Sequence, residues 1–349
     1  MKNSALDPYH PRSLSEAESF PVLDLAAYLA GDNTQLPILA GQLLDAAENL
    51  GFYAIVNHGI PQSLINRTFD EAKRFHALTI ECKQSLKVNE HNIGYMAMGA
   101  SISRASRVHK ATKPNMNEAF FVKRDLARDH PHVLANKRFR GLNQWPDNLP
   151  EFRANIIEYC DEVEKLALKL LPIYALALAL PVDFFTEAFR EPQFALRMSH
   201  YPALTQEQLE DNQFALAPHT DSSFMTLLPA NEIPGLAIRN PNGEWFEQPV
   251  IPGSFTVNTG DMLYRWSNHR FRSTPHRVIN RSGVERYAIP FFFDATCDYR
   301  MSCIPTCQSA ENPAKYEPTS YAEYMLWFAS TNYPQVTAKA GEKIAKVNH

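Results

Sequence analysis

Five cysteines in 349 residues (Cys82, Cys160, Cys297, Cys303 and Cys307) are too few to build a disulfide framework, and no C-x-x-C pair occurs among them. An odd count without a short-spaced pair points to free thiols in a reducing compartment and argues against a cysteine-ligated metal. No block of Lys and Arg accumulates either. The 34 basic residues are outnumbered by 38 acidic ones, for a formal net charge of -4, so the electrostatic footprint of a nucleic-acid-binding surface is missing. The longest apolar run, Leu166 to Leu180, contains Lys169 and Pro172 and falls short of the roughly 18 to 20 residues that span a bilayer. It reads as a buried helix. The N-terminal MKNSALDPYHPRS has no continuous apolar segment and no small-residue cleavage pattern, which makes the cytoplasm the expected location. Internal repeats and low-complexity tracts are also absent. Neither nucleic acid nor membrane is expected as a partner, and the sequence leaves the oligomeric state unknown.

What is present is the composition of an ordinary soluble protein, 45% hydrophobic and 21% charged, with length enough for a large core. Residues 1–19 are polar and proline-bearing, an irregular tail. Order begins at FPVLDL (Phe20 to Leu25), a strand candidate. LPILAGQLLDAAENLG follows with apolar residues at helical spacing and ends at Gly51, where a left-handed cap stops a helix. FYAIVNHG reads as a strand, and the segment from Ser63 to Leu86 as one amphipathic helix. A longer helical pattern runs from about Leu149 to Leu180, with Pro172 inside it. After Gln193 the texture changes to short apolar stretches separated by N-P-N-G, N-T-G-D and R-S-G, the signature of an antiparallel sandwich or barrel. The expected organisation is a helical and strand-bearing region 20–190 packed on a β core 191–300, followed by a closing helix and tail 301–349.

Within APHTDSSF, His219 and Asp221 stand two positions apart in a strand-like run, so they project from one face. Such a pair can serve a metal, an acid-base couple or merely a solvated surface, and on its own it is weak evidence for a metal. A third donor appears in STPHRV at His276. Two histidines and one carboxylate on one face of an octahedron suit non-haem iron, and zinc is conceivable with the same ligands. Between His276 and Arg286 lies VINRSGVE, rich in turn formers, and a hairpin centred near Arg281 sets positions 276 and 286 opposite each other. Arg286 then offers a fork for a carboxylate beside the metal. Period two turns Arg286, Ala288, Pro290 and Phe292 inward, with Tyr287, Ile289 and Phe291 outward.

FPVLDL, GFYAIVNHGI, LRMSHYP, H-T-D at 219 to 221, PGLAIRNPNGEW, VNTGDMLYRWSN, T-P-H-R-V around His276 and RYAIPFFFD occur in that order. With them the chain resembles the isopenicillin N synthase-like branch of the Fe(II)/2-oxoglutarate-dependent dioxygenases from Phe20 to about Tyr324. The resemblance implies an α+β protein with a double-stranded β-helix (jelly-roll) core and a helical N-terminal region packed on it. It implies Fe(II) held by His219, Asp221 and His276. It also implies 2-oxoglutarate as cosubstrate, its far carboxylate at Arg286 and Tyr201, and Ala288 and Ser199 beside it. With O2, the keto acid yields succinate and CO2 while a small-molecule substrate is hydroxylated, desaturated or cyclised, a chemistry placed in secondary metabolism. Phe292, Arg197, Arg104 and Phe120 are the candidate substrate contacts.

One position departs from the family. Its R-x-S motif ends in serine, where this chain has Ala288. A hydroxyl donated to a carboxylate contributes about 1.5 to 3 kcal/mol, so its loss weakens the cosubstrate about tenfold or more unless Tyr201 or another donor offsets it. On this basis Ala288→Ser is expected to lower the KM for 2-oxoglutarate. The departure also admits oxidation without a keto acid, with Arg286 holding the substrate's own carboxylate. A metal-dependent hydrolase and a binding module without chemistry are the readings from other classes; a buried keto-acid fork and an intact triad argue against them. His58, His76 and His200 lie outside the matched ligand positions and are expected to be structural. Tyr321, Tyr324 and Phe328, at helical spacing, belong to a C-terminal helix that covers the site mouth.

Overall fold

The computed structural model describes residues 11–13, 19–204, 210, 212–280, 282–333 and 342–345. Most of the expected N-terminal tail, part of the C-terminal tail and Arg281 lie outside these. Among the described residues there are thirteen strands: β1 (Val22–Asp24), β2 (Phe52–Val56), β3 (Gly94–Met96), β4 (Glu118–Lys123), β5 (Gln193–Tyr201), β6 (Leu216–His219), β7 (Met225–Pro229), β8 (Leu236–Arg239), β9 (Trp245–Glu247), β10 (Phe255–Thr259), β11 (His276–Val278), β12 (Arg286–Ala288) and β13 (Phe291–Asp294). The helices are α1 (Ala26–Leu29), α2 (Leu36–Asn49), α3 (Gln62–His76), α4 (Ile80–Ser85), α5 (Pro131–Leu134), α6 (Phe152–Ala177), α7 (Asp261–Trp266) and α8 (Tyr321–Asn332).

Nine strands form the major sheet in the order β1-β2-β10-β7-β13-β5-β4-β3, with β12 also paired to β5; four form the minor sheet, β6-β11-β8-β9. All pairings but β1 with β2 are antiparallel. This is the jelly roll, and the region before residue 190 contributes four of its strands, so 20–190 and 191–300 share one sheet.

The outer face of the major sheet is apolar because helices cover it. Ile55, Val257, Leu227, Phe291, Phe293 and Leu196 pack there with the buried faces of α2 and α6 in one continuous core. Each such side chain withdrawn from water contributes about 1.5 to 3 kcal/mol. The residues expected to point outward, Ile289 and Phe291, do so into this core and not into solvent. On the opposite face the strands carry Arg197, Ser199, Thr226, Asn258, Phe292 and Asp294, and there the sequence turns polar because that face bounds a cavity.

Local signals explain most element ends. Gly51 closes α2 with φ +73°, as its position after the helical pattern predicts. The segment from Ser63 to Leu86 is two helices and not one: Thr79 caps α4 through its hydroxyl, which accepts from the Cys82 amide. N-P-N-G makes the β8–β9 turn, with Gly243 at φ +87°. N-T-G-D is not a hairpin turn; it ends β10 and starts α7. A capping box at Ser320 and Glu323 opens the C-terminal helix α8.

The expected hairpin between His276 and Arg286 is corrected by the register. His276 lies opposite His219 in the minor sheet, and Arg286 lies opposite Tyr201 in the major one. Histidine and cation therefore stand on different sheets.

Candidate active site

His219 ends β6 and His276 begins β11, directly paired, with ring centroids 4.3 Å apart. Asp221 sits in the loop just beyond β6. Each imidazole uses Nδ1 on a backbone carbonyl: His219 on Ala217 at 2.8 Å, His276 on Thr274 at 3.1 Å. A carbonyl only accepts, so both Nδ1 atoms carry the proton and both Nε2 atoms present a lone pair. Those two atoms lie 3.7 Å and 3.4 Å from Asp221 Oδ1. The three donor atoms converge within 4.8 Å of one another, with Asp221 and His276 buried. Burial pushes the His219 pKa down to about 3. Burial also opposes charge on His276, but the adjacent Asp221 carboxylate prevails and raises its pKa. Asp221 itself is held well below the carboxylate range: burial works against it, and the two imidazoles with the Thr226 hydroxyl outweigh burial.

The second carboxylate oxygen of Asp221 is occupied. Thr226 Oγ1 donates to Oδ2 at 2.7 Å and Asn258 Nδ2 at 2.8 Å, which leaves Oδ1 for a metal. The loop is braced from behind as well. The Asp261 amide donates to the Asp221 carbonyl at 2.7 Å, while the Asp261 carboxylate accepts from Thr220, Arg107 and Tyr324. Gly260 makes this approach feasible, since a Cβ there would lie 2.1 Å from the Ser223 carbonyl. Sequence reasoning misses Thr226, Asn258 and Asp261; the signal for the last two lies in VNTGDM, which reads as a turn. Thr226→Val and Asn258→Ala are each expected to weaken divalent-metal affinity about 10- to 100-fold, since second-sphere partners orient the ligand. Mn(II) titration calorimetry checks this, and unchanged affinity in both variants removes the assigned role.

Two other donor clusters exist among the described residues. At His76, Glu118 and His200, the carboxylate already accepts from Lys83 at 2.9 Å, from His200 at 2.8 Å and from the Tyr95 hydroxyl. An ammonium fills the place of a cation, so this is a structural network, as expected for His76 and His200. His58 is likewise structural, its Nε2 on the Gly253 carbonyl. At His130, His132 and Glu191, partly exposed, Arg140 already sits 3.4 Å from the carboxylate.

Beside the first triad a cavity partly open to solvent is lined by His219, Asp221, Arg197, Phe292, Phe121 and Lys123 among others. Burial brings Lys123 down to about 8 and pushes Asp294 at the same wall up to about 8. Tyr321 and Phe328 of α8 close one side, consistent with the expected covering helix, while Tyr324 serves Asp261. Two expected contacts are corrected. Phe120 is in the main core, 4.1 Å from the Phe75 ring, because alternation along β4 turns its neighbour Phe121 to the cavity. Arg104 is exposed and does not line the cavity, although its neighbours Ser103 and Ala105 do.

Arg286 is 3% exposed and its guanidinium stands over the Tyr201 ring at 5.4 Å. Nε donates to the Ile233 carbonyl at 3.1 Å, while NH1 is buried with no acceptor. Burial without a carboxylate partner lowers its pKa. It lines a smaller space of about 340 Å³ with Leu228, Leu236 and Thr256. Tyr201, Leu216, Val278 and Ala288 form an apolar cluster next to it, and Leu216 also lines the large cavity. Ser199 faces Ala288 in the β5–β12 register and Ala119 in the β4–β5 register, and its hydroxyl is buried without a partner. The donor set therefore fits a divalent metal, and the orphaned guanidinium and hydroxyl fit an anion between them.

Residues 20–148 match the family model described as the non-haem dioxygenase in morphine synthesis N-terminal region, and residues 192–295 match the 2OG-Fe(II) oxygenase superfamily. A 2-oxoglutarate-Fe(II) type oxidoreductase, hxnY of Emericella nidulans, is 32% identical over 93% of this chain and 94% of its own. The 2-oxoglutarate-dependent dioxygenase citB of Monascus ruber is 30% identical over 93% and 98%. Among solved structures, a full-length Neurospora crassa protein crystallised in complex with alpha-KG and thymine superposes with a TM-score of 0.78 at 26% identity, covering 91% of this chain and 98% of that one.

Proposed function

The chain belongs to the Fe(II)- and 2-oxoglutarate-dependent dioxygenases of the isopenicillin N synthase-like superfamily, and from that premise we propose that His219, Asp221 and His276 are its iron ligands. It is an oxidoreductase whose cosubstrates are 2-oxoglutarate and O2. Held by these three residues, iron would supply the redox chemistry by which O2 converts the keto acid to succinate and CO2 and oxidises the substrate, one oxygen atom going to succinate. The observation that carries the ligand assignment is the convergence of two Nε2 lone pairs and one free Oδ1, each fixed by a hydrogen bond on its far side. Arg286 takes the far carboxylate of 2-oxoglutarate. Support comes from its buried, unpartnered NH1 and from the absence of any carboxylate beside it among the described residues. The alternative use of Arg286, holding a substrate in a keto-acid-independent oxidase, gives way to this one.

Tyr201, opposite Arg286, completes the wall, and Ser199 supplies the hydroxyl that Ala288 lacks. The register places Ser199 directly across from position 288, so the donor has moved to the neighbouring strand at the same level. This changes the expectation for Ala288→Ser: alone it gains little, because a donor is already there. The test is a rescue. Ser199→Ala is expected to raise the KM for 2-oxoglutarate about tenfold, with kcat nearly unchanged, and Ala288→Ser is expected to restore it in the Ser199→Ala background. An unchanged KM in Ser199→Ala removes Ser199 from the cosubstrate site.

Phe292 and Arg197 are assigned to the substrate, a small organic molecule received in the cavity beside the triad. The Neurospora crassa complex supports that size class, since it holds thymine. A reducing compartment such as the cytoplasm is supported by the five cysteines, all free thiols. No helix among the described residues is long and apolar enough to cross a membrane.

A further inference from the structure

A second buried guanidinium is unaccounted for. Arg197, on the inner face of β5, is 8% exposed and lines the large cavity with His219 and Asp221. Its NH2 donates to Asn117 Oδ1 at 2.7 Å. Asn117 is in turn oriented by its own amide, which donates to the Ala215 carbonyl. Nε of Arg197 is buried with no acceptor, and the guanidinium makes no ion pair among the described residues. The two acids that line the cavity are engaged elsewhere: Asp221 with Thr226, Asn258 and the two histidines, Asp294 with the Phe224 amide. A cation withdrawn from water without a counter-charge is costly. Holding one at the cavity wall makes sense when the ligand brings the anion.

That ligand is not 2-oxoglutarate. Arg286 is level with Tyr201, and Arg197 lies four residues further along β5, roughly 13 Å away. The keto acid has one carboxylate for the metal and one for Arg286, and none is left for Arg197. An apolar patch lies beside it: Phe121 lies under the guanidinium at 5.7 Å, and Phe292, Phe328 and Met325 face the same space, while Ser101, Asn115 and Asn332 make other parts of the wall polar. Lys123 is the other cation in the cavity. It pairs in register with Ala195, as does Phe292, so it stands diagonal to Arg197 across a small residue.

Resting on the assignment of the triad and Arg286 above, we propose that Arg197 anchors a carboxylate of the substrate, and that this dioxygenase oxidises small organic acids with an apolar body. The anchor fixes one end of the acid and leaves its apolar portion against Phe292, beside the iron ligands. Arg197 then selects acids over their neutral analogues through a charge-assisted hydrogen bond that an amide or ester does not reproduce.

Phenylacetate and phenylacetamide, matched in shape and unlike in charge, are the probes. Each is titrated by calorimetry into the protein loaded with Mn(II) and 2-oxoglutarate, and 2-oxoglutarate affinity is measured separately in every variant. The wild-type protein is expected to bind phenylacetate at least about tenfold more tightly than phenylacetamide. Arg197→Met is expected to bring that ratio close to one while 2-oxoglutarate affinity stays within about twofold of wild type. Arg197→Lys keeps the charge without the fork and is expected to retain part of the preference; it decides the matter should Arg197→Met not fold. Equal binding of the two probes, or binding of neither at millimolar concentration, overturns the proposal. So does a preference that survives Arg197→Met but vanishes in Lys123→Met, or an Arg197→Met variant that loses 2-oxoglutarate as much as phenylacetate. Failure of the wild-type protein to bind Mn(II) and 2-oxoglutarate is a separate result and counts against the metal-site assignment instead.

Discussion

Asp221→Ala is expected to abolish stoichiometric Fe(II) binding and to lower 2-oxoglutarate turnover to succinate by about 10³-fold or more, beyond the roughly 10- to 100-fold cost of losing a second-sphere partner. Asp221 is the only charged donor in the triad, and its free Oδ1 is the atom toward which both histidine Nε2 atoms converge. Removing it leaves two neutral imidazoles and two donors, Thr226 and Asn258, aimed at nothing. Equilibrium dialysis with Fe(II) under anaerobic conditions measures the loss, and far-UV circular dichroism verifies the fold. Glu118→Gln provides the contrast. It breaks the rival cluster, strands Lys83 in the interior, and is expected to cost about 3 to 5 kcal/mol of stability, while iron still binds with a stoichiometry of one. If Asp221→Ala keeps its iron, or Glu118→Gln loses it, the metal is elsewhere.

Replacing Arg286 by Met is expected to separate affinity from rate and stability from function. Truncating one partner of a buried, hydrogen-bonded charge pair costs about 2 to 5 kcal/mol, so the KM for 2-oxoglutarate should rise about 30-fold at least. At saturating cosubstrate kcat should fall far less, because Arg286 is remote from the reacting atoms. The protein free of metal and keto acid should respond in the opposite direction. There Arg286 is a buried cation whose NH1 has no acceptor, and burial lowers its pKa. Met fills similar volume without that penalty, so the melting temperature of the ligand-free variant should rise while added 2-oxoglutarate no longer stabilises it. A wild-type cosubstrate affinity in Arg286→Met, read from the visible charge-transfer band of the anaerobic Fe(II) complex, would assign the keto acid to another cation. Those two results together would show that the free protein holds an unpaired charge whose cost the bound cosubstrate offsets.

Much of this site is legible in the residues alone. The three candidate ligand types, the inward parity of Arg197, Ser199 and Tyr201 and the placement of Phe292 follow from residue chemistry and from the two-residue period of a strand. The carboxylate-binding role proposed for Arg286 rests instead on the family resemblance, because the hairpin expected to set it beside His276 is not formed. The helix end at Gly51 follows from capping. Other features are not legible. Along β4 the run Ala119 to Val122 is buried on both faces, so no polar residue marks which way it alternates, and the sequence points to Phe120 where the cavity holds Phe121. Arg104 and Arg107 share one loop, and only the fold shows that Arg107 meets Asp261 while Arg104 faces solvent.

The sequence determined which side chains share a face and which groups carry charge, because these depend on local geometry and covalent chemistry. Only the tertiary structure decided which strand lies beside which: that His276 pairs with His219 and not with Arg286, that Ser199 stands across from Ala288, and that Thr226 and Asn258 hold one oxygen of Asp221. The reason is physical. Strands are joined through backbone amides and carbonyls that are the same in every residue, so their partners are selected by the packing of the whole chain and leave no mark on any short segment of it.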